Sequence, residues 1–191
     1  MSDMATAELN PRKITVEEYH RMVDARIIER DERVELLDGL IVEMSPIGKP
    51  HWVAHFQIDS YLKERLGPNA AVVGLASLPL GQYSEPQPDI IVFARSAVED
   101  RIRIPTPDEV YAFIEVSDSS LRKDQGPKRE IYERFRIKDY FVVDVNQPWL
   151  FHYSLGLNDR YGEPRVLASG DTFALQALPN IVLKADAFTA R

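Results

Sequence analysis

Residues 111–145 read as a strand, a helix and a second strand with little between them, and this order constrains the fold more than any other stretch of the chain. Tyr111-Ala112-Phe113-Ile114-Glu115-Val116-Ser117 has the composition of a buried strand. Residues 125–137 set Ile131, Tyr132 and Phe135 among charges at helical spacing, and Tyr140-Phe141-Val142-Val143-Asp144-Val145 is apolar again. Strands joined through a helix in this way form a parallel crossover unit. A second feature demands antiparallel pairing. Asp38-Gly39 lies between residues 33–37 and 40–44, and this dipeptide supplies the positive φ angles of a two-residue hairpin turn. The expected fold is therefore α/β, a mixed sheet flanked by helices, preceded by an N-terminal helix and a hairpin.

The remaining elements follow from local signals. Thr15-Val16-Glu17-Glu18 reads as a capping box opening a short helix, with Tyr19, Met22 and Val23 as its buried stripe. Residues 51–66 give a longer helix through Trp52, Phe56, Ile58, Leu62 and Leu66, stopped by Gly67-Pro68. Residues 70–76 and 78–80 read as extended, Ile90-Ile91-Val92-Phe93 as a strand buried on both faces, and residues 95–109 as a surface excursion. Further strands are expected at 149–153, 165–168 and 181–183. Residues 1–12 read as a flexible tail and 13–191 as one domain.

With 191 residues, 45% of them hydrophobic, the chain can bury a sizeable core. The absence of cysteine excludes disulfides, zinc ribbons and thiol nucleophiles. No secretory signal and no membrane-length apolar run is legible, so the cytoplasm is the expected location and no membrane partner is expected. The net charge of −7 argues against a protein that coats nucleic acid through a general positive field. Its distribution is uneven: residues 1–43 carry six basic and eleven acidic side chains, whereas residues 122–138 carry seven basic and three acidic ones. An anion could be met at the second segment, although a solvated helix face of mixed charge explains it equally.

Glu115 is the anomaly, an ionisable group inside an apolar strand, where an uncompensated charge costs several kcal/mol. It either reaches water or an Arg at the strand end, or meets a cation. Asp89 opens a second apolar strand directly after Pro88, so neighbouring strands would bring two carboxylates to one sheet edge, where a divalent cation relieves their repulsion. Magnesium suits such a pair, because it takes oxygen ligands and uses only one or two protein carboxylates. Asp124 and Lys128 lie four residues apart on the following helix, with Tyr132 one turn further on. Either Asp124 caps the helix and pairs with Lys128 at the surface, or Lys128 is an arm that turns its ammonium toward the two acids. His51 and His55 share a helix face, but no third ligand nearby argues for zinc, which leaves His51 as a cap, a surface group or a support for the carboxylates.

Pro88-Asp89, then Glu115-Val116 in an apolar strand, then Asp124 and Lys128 on the next helix, resembles the active-site signature of the PD-(D/E)XK nuclease superfamily. Within it the chain is similar to the Uma-type restriction endonuclease family over roughly residues 13–185. That likeness includes Val34-Glu35-Leu36-Leu37-Asp38-Gly39, Met44-Ser45-Pro46, His51 and Tyr140-Phe141-Val142-Val143-Asp144. The resemblance implies a restriction-endonuclease-like core, with Asp89 and Glu115 as Mg²⁺ ligands (Mn²⁺ as a substitute), Lys128 as the catalytic lysine and Glu35 as a further member of the site. In the commonest superfamily pattern the lysine stands two residues after the acid. Here that position is Ser117, and Lys128 matches the variant that moves the lysine to the helix. Asp118 also departs from the expected proline and adds a negative charge near the phosphate path.

The expected activity is Mg²⁺-dependent hydrolysis of phosphodiester bonds in nucleic acid, DNA first. His51, Asp124, Tyr132 and Ser117 would support the site, and Arg122, Lys123 and Arg129 would meet backbone phosphates. A nuclease fold that binds without turnover is the alternative, and a carboxylate-pair glycosidase fits less well because it leaves Lys128 unexplained. A homodimer is expected, paired through residues 149–153 or the hairpin, since two sites suit cutting both strands of a duplex.

Overall fold

The computed structural model describes residues 11–29, 31–99 and 103–189. The N-terminal tail expected over 1–12 thus lies outside the described residues except for Pro11 and Arg12, which are exposed. Helix α1 (Val16–Asp24) starts at Thr15, whose hydroxyl accepts from the Glu18 N–H while the Glu18 carboxylate accepts from the Thr15 N–H. Its apolar stripe is only half-buried, not a core face as expected, and no residue of α1 is fully buried. Strands β1 (Val34–Leu37) and β2 (Leu40–Glu43) form the hairpin, with Asp38 at φ 51° and Gly39 at φ 83°.

Helix α2 (Lys49–Leu66) precedes β3 (Ala71–Gly74) and β4 (Ile90–Phe93). Residues 78–80, expected as extended, form no strand beyond a single bridge between Leu80 and Ser84. The short helix α3 (Ser96–Glu99) lies in the expected surface excursion, where Ala97 is nevertheless buried. Strand β5 (Val110–Ser117) leads into a composite helix: α4 (Leu121–Lys123), a π-helical turn (Asp124–Lys128) and α5 (Arg129–Arg134). Then come β6 (Asp139–Asp144), β7 (Trp149–Ser154), β8 (Arg165–Ala168), β9 (Thr172–Phe173) and β10 (Leu183–Lys184).

One six-stranded sheet runs in the order β3-β4-β5-β6-β7-β8. Every neighbouring pair is antiparallel except β5–β6, the parallel pair joined by the composite helix. Side-chain alternation divides β5 between two cores. Ala112, Ile114 and Val116 pack with Ile58, Leu62 and Leu66 of α2 and with Phe173, Leu183 and Phe188, whereas Phe113 packs with Ile131 and Tyr132 on the other face. Each of the larger aliphatic and phenylalanine side chains contributes about 1.5–3 kcal/mol on burial. Glu115 and Ser117 share the phase of Phe113, so the same alternation turns them toward the composite helix.

Two expectations need correction here. Trp52 and Phe56 do not face the core: they are 60% and 59% exposed, stacked on each other, because the inward stripe of α2 runs through Ile58, Leu62 and Leu66. Residues 149–153 cannot pair across a two-fold axis through their backbone, since β7 already has β6 on one side and β8 on the other. Among the described residues, no helix is long and apolar enough to cross a membrane.

Candidate active site

Proline at position 127 has no N–H to donate, and Gly126 takes non-helical torsions (φ −104°, ψ −106°), so the composite helix widens by one residue between Asp124 and Lys128. The Arg129 N–H reaches back to the Asp124 carbonyl, which also accepts from the Tyr140 hydroxyl at 2.9 Å. The wide turn presents Asp124 and Lys128 together toward the sheet, both 2% exposed.

Lys128 Nζ lies 2.6 Å from Glu115 Oε1 and 3.1 Å from Glu35 Oε2. Glu35, an alternate residue of the hairpin strand β1, is 1% exposed and also pairs with Lys123 at 2.8 Å and accepts from the Gln87 N–H at 3.2 Å. The Tyr132 hydroxyl donates to Glu115 Oε1 at 2.7 Å, while no group among the described residues donates to Oε2. Asp89, immediately before β4, accepts the Val116 N–H on Oδ2 at 2.7 Å, a bond that ties it to the strand carrying Glu115. Its Oδ1 stands 3.0 Å from His51 Nε2. Asp124 accepts from Ser117 at 2.7 Å and Ser120 at 2.6 Å, so it neither caps the helix nor lies at its surface.

Glu35, His51, Asp89, Glu115, Lys123, Asp124 and Lys128 line one cleft, with Arg33, Asp118 and Ser120 among its other walls. It holds about 40 Å³ for water-sized groups, room for two or three of them. Five carboxylates line it against three cationic side chains, an excess of two negative charges. Burial pushes the Glu115 carboxyl well above its ordinary value; Lys128 opposes the shift, and Asp124, Asp89 and Glu35 add to it. Burial likewise raises Asp124, against Lys128, Ser120 and Ser117. Burial would also raise Glu35, but the ammoniums of Lys128 and Lys123 and the Gln87 N–H outweigh it and hold Glu35 low. Burial alone would lower Lys128, yet Glu115, Glu35 and Asp124 overcome it and keep the ammonium charged. The site is thus a surplus of acids around a fixed cation, with Glu115 the acid least content to be ionised.

A divalent cation suits this set. The donors are hard carboxylate oxygens, the excess charge with all of them ionised is two, and Glu115 Oε2 has no protein donor among the described residues. Among the described residues no three of His, Cys, Asp and Glu form a ready cage, and an ion that takes one or two carboxylates and fills its shell with water needs none.

The other expected positions divide. Ser117 and Tyr132 support Asp124 and Glu115, as described. Arg122 is exposed and does not line the cleft. Arg129 turns away: its guanidinium lies 5.9 Å from the Tyr153 ring centroid and borders a separate cavity with Asp38 and Arg134. One residue past the wide turn, it belongs to a different helix face from Lys128. His51 and His55 share no metal-like cluster; their rings stack 6.5 Å apart, and both Nε2 atoms go to Asp89. Ser120, the backbone of Gln87 and Val116, and Tyr140 were not foreseen. Only Ser120 had a readable signal, a hydroxyl one helical turn before Asp124.

Residues 16–186 match the family Uma2, described as "Putative restriction endonuclease". No functionally curated protein matches the chain. A crystal structure described as a "putative nuclease belonging to DUF820 from Anabaena variabilis" superimposes with a TM-score of 0.68 at 17% identity, covering 92% of this chain and 97% of that one. At that identity the likeness concerns the fold.

Proposed function

The chain belongs to the Uma2 family, and from that premise we propose that it is a Mg²⁺-dependent endonuclease hydrolysing phosphodiester bonds, with DNA as substrate. The observation that carries the reading is the surplus of buried carboxylates around Lys128 in one cleft. Asp89 and Glu115 are the residues that would hold the cation. When bound, Mg²⁺ supplies Lewis acidity toward a phosphoryl oxygen and acidifies water.

The chain's own groups supply the rest. The Lys128 ammonium pairs with Glu115 and Glu35 and, carrying three N–H donors, can also meet charge developing on a phosphoryl oxygen. Glu35 keeps that ammonium in place and charged, and Tyr132 fixes the Glu115 oxygen that Lys128 also contacts. Lys123 and Arg33 line the same cleft and would attract the phosphate backbone. Asp118, also on the wall, opposes it and favours a second reading, a nuclease fold that binds without turnover.

Purified protein incubated with duplex DNA, single-stranded DNA and RNA should cleave DNA in Mg²⁺ or Mn²⁺, stop in EDTA, and lose cleavage in Asp89→Asn. Cleavage that survives EDTA or Asp89→Asn contradicts the proposal. Tight metal binding without cleavage of any of the three favours the binding module.

A further inference from the structure

Asp89 and Glu115 are held very differently. Glu115 is restrained by Lys128 and Tyr132 through a single oxygen. Asp89 is gripped from several sides: the Val116 N–H on Oδ2, His51 Nε2 at 3.0 Å from Oδ1, and His55 Nε2 and the Leu75 N–H on its main-chain carbonyl at 3.0 and 2.9 Å. Two of these contacts come from histidines one turn apart on α2. That helix is anchored in the core through Ile58, Leu62 and Leu66.

The acceptors define the chemistry. A carbonyl oxygen has no proton to give, so His55 donates through Nε2. At His51, Nε2 with its proton is attracted to a carboxylate, whereas a bare Nε2 would set two lone pairs face to face. Nδ1 of His51 is buried without a partner, so no second hydrogen bond defines the ring. The clamp also explains a glycine. A Cβ on Gly74 of β3 would stand 2.7 Å from His55 Nε2 and 2.9 Å from Cε1, so the ring occupies the space a side chain would fill.

We infer that His51 and His55 form a clamp from α2 that positions Asp89 for the cation, with Gly74 providing its room, and that metal affinity is therefore set partly by side chains that do not touch the metal. This rests on the proposed metal centre. Asp89 is the ligand fixed in advance, and Glu115 is the one that would offer the oxygen Lys128 and Tyr132 leave free. Groups that orient a ligating side chain typically alter metal affinity by about 10–100-fold when removed.

The test is Mn²⁺ titration by calorimetry, with electron spin-echo spectra of bound Mn²⁺, on the full chain and on His51→Ala, His51→Gln, Gly74→Ala and Asp89→Asn, each checked for folding by circular dichroism. His51→Ala should bind Mn²⁺ about 10–100-fold more weakly. His51→Gln, which restores an N–H at the same reach, should recover much of the loss. Gly74→Ala displaces only the tip of the His55 side chain, keeps the fold, and should weaken binding several-fold. Wild-type affinity in His51→Ala overturns the clamp. So does a nitrogen coupling to Mn²⁺ that disappears in His51→Ala, since His51 would then be a ligand. If the wild-type chain binds no Mn²⁺, or Asp89→Asn binds as well as wild type, the metal-centre reading itself fails and the clamp fails with it.

Discussion

Glu115 on β5 and Asp139 on β6 are both buried acids of the parallel strand pair, 3% and 0% exposed, yet they live under opposite conditions. Asp139 is alone among donors. His152 Nε2 lies 2.8 Å from Oδ1, Ser154 reaches the same oxygen at 3.5 Å, and the Gln176 N–H donates to Oδ2 at 2.7 Å. Glu115 shares one ammonium with Glu35, has Asp89 and Asp124 close enough to raise it, and keeps one oxygen without a donor. Equal burial therefore says little. A carboxylate surrounded by donors ties strands together, whereas a crowd of carboxylates short of cations keeps charge left to balance.

Amide substitutions break this contrast most strongly. Asp89→Asn or Glu115→Gln should lower metal-dependent cleavage by more than about 10²-fold with the far-ultraviolet spectrum unchanged. Asp139→Asn should leave cleavage near wild type and instead lower unfolding free energy by about 1–3 kcal/mol, read by urea titration. Loss of activity in Asp139→Asn without loss of stability would erase the distinction.

Lys128→Met comes next. It strands Glu35 and Glu115 without their shared cation and should destabilise the metal-free protein by about 3–5 kcal/mol in the same titration. His152→Ala, which removes a donor from a lone acid, should cost less.

A pH series sharpens the comparison further. Because the folded-state pKa of Glu115 lies above its ordinary value of 4.5, its ionisation opposes folding at neutral and higher pH. That penalty shrinks as pH falls through the raised pKa and is gone once the unfolded chain is protonated too. Metal-free Glu115→Gln should therefore be more stable than wild type at pH 8, with the advantage fading toward pH 4, and saturating Mg²⁺ should reverse the order by binding only the wild type. A variant less stable than wild type across that range contradicts the crowded-acid reading.

The smallest effect belongs to Arg129→Ala. Its side chain lies against Tyr153 outside the cleft, so cleavage should change by less than about threefold, the scale of an ordinary surface substitution.

What the sequence made legible follows the same physics. Glu115 stood out because a charge inside an apolar strand has few explanations, and the Asp38-Gly39 turn was readable because few residues accept its torsions. Asp124 and Lys128 were visible as a pair through their spacing. The direction of Arg129 was not, because Gly126-Pro127 reads as a weak point in a helix and not as a π turn that resets the phase after it. Trp52 and Phe56 misled because their apolarity outweighed the histidines beside them, although the inward stripe of α2 ends in His51 and His55. Strand β9, of two residues, is too short for alternation to register, and β10 covers only Leu183–Lys184 where a strand over 181–183 was expected. The contacts that hold Asp89 and Glu35 through the backbone of Val116 and Gln87 leave no side-chain trace at all.

The account turns on Asp89 and Glu115 sharing one cation in the cleft that also holds Lys128. Anomalous diffraction from Mn²⁺-soaked crystals reads this directly. The prediction is a single strong peak in contact with both carboxylates and absent from Asp89→Asn crystals. A peak bound elsewhere, or none at Mn²⁺ concentrations that saturate the protein in solution, would contradict it.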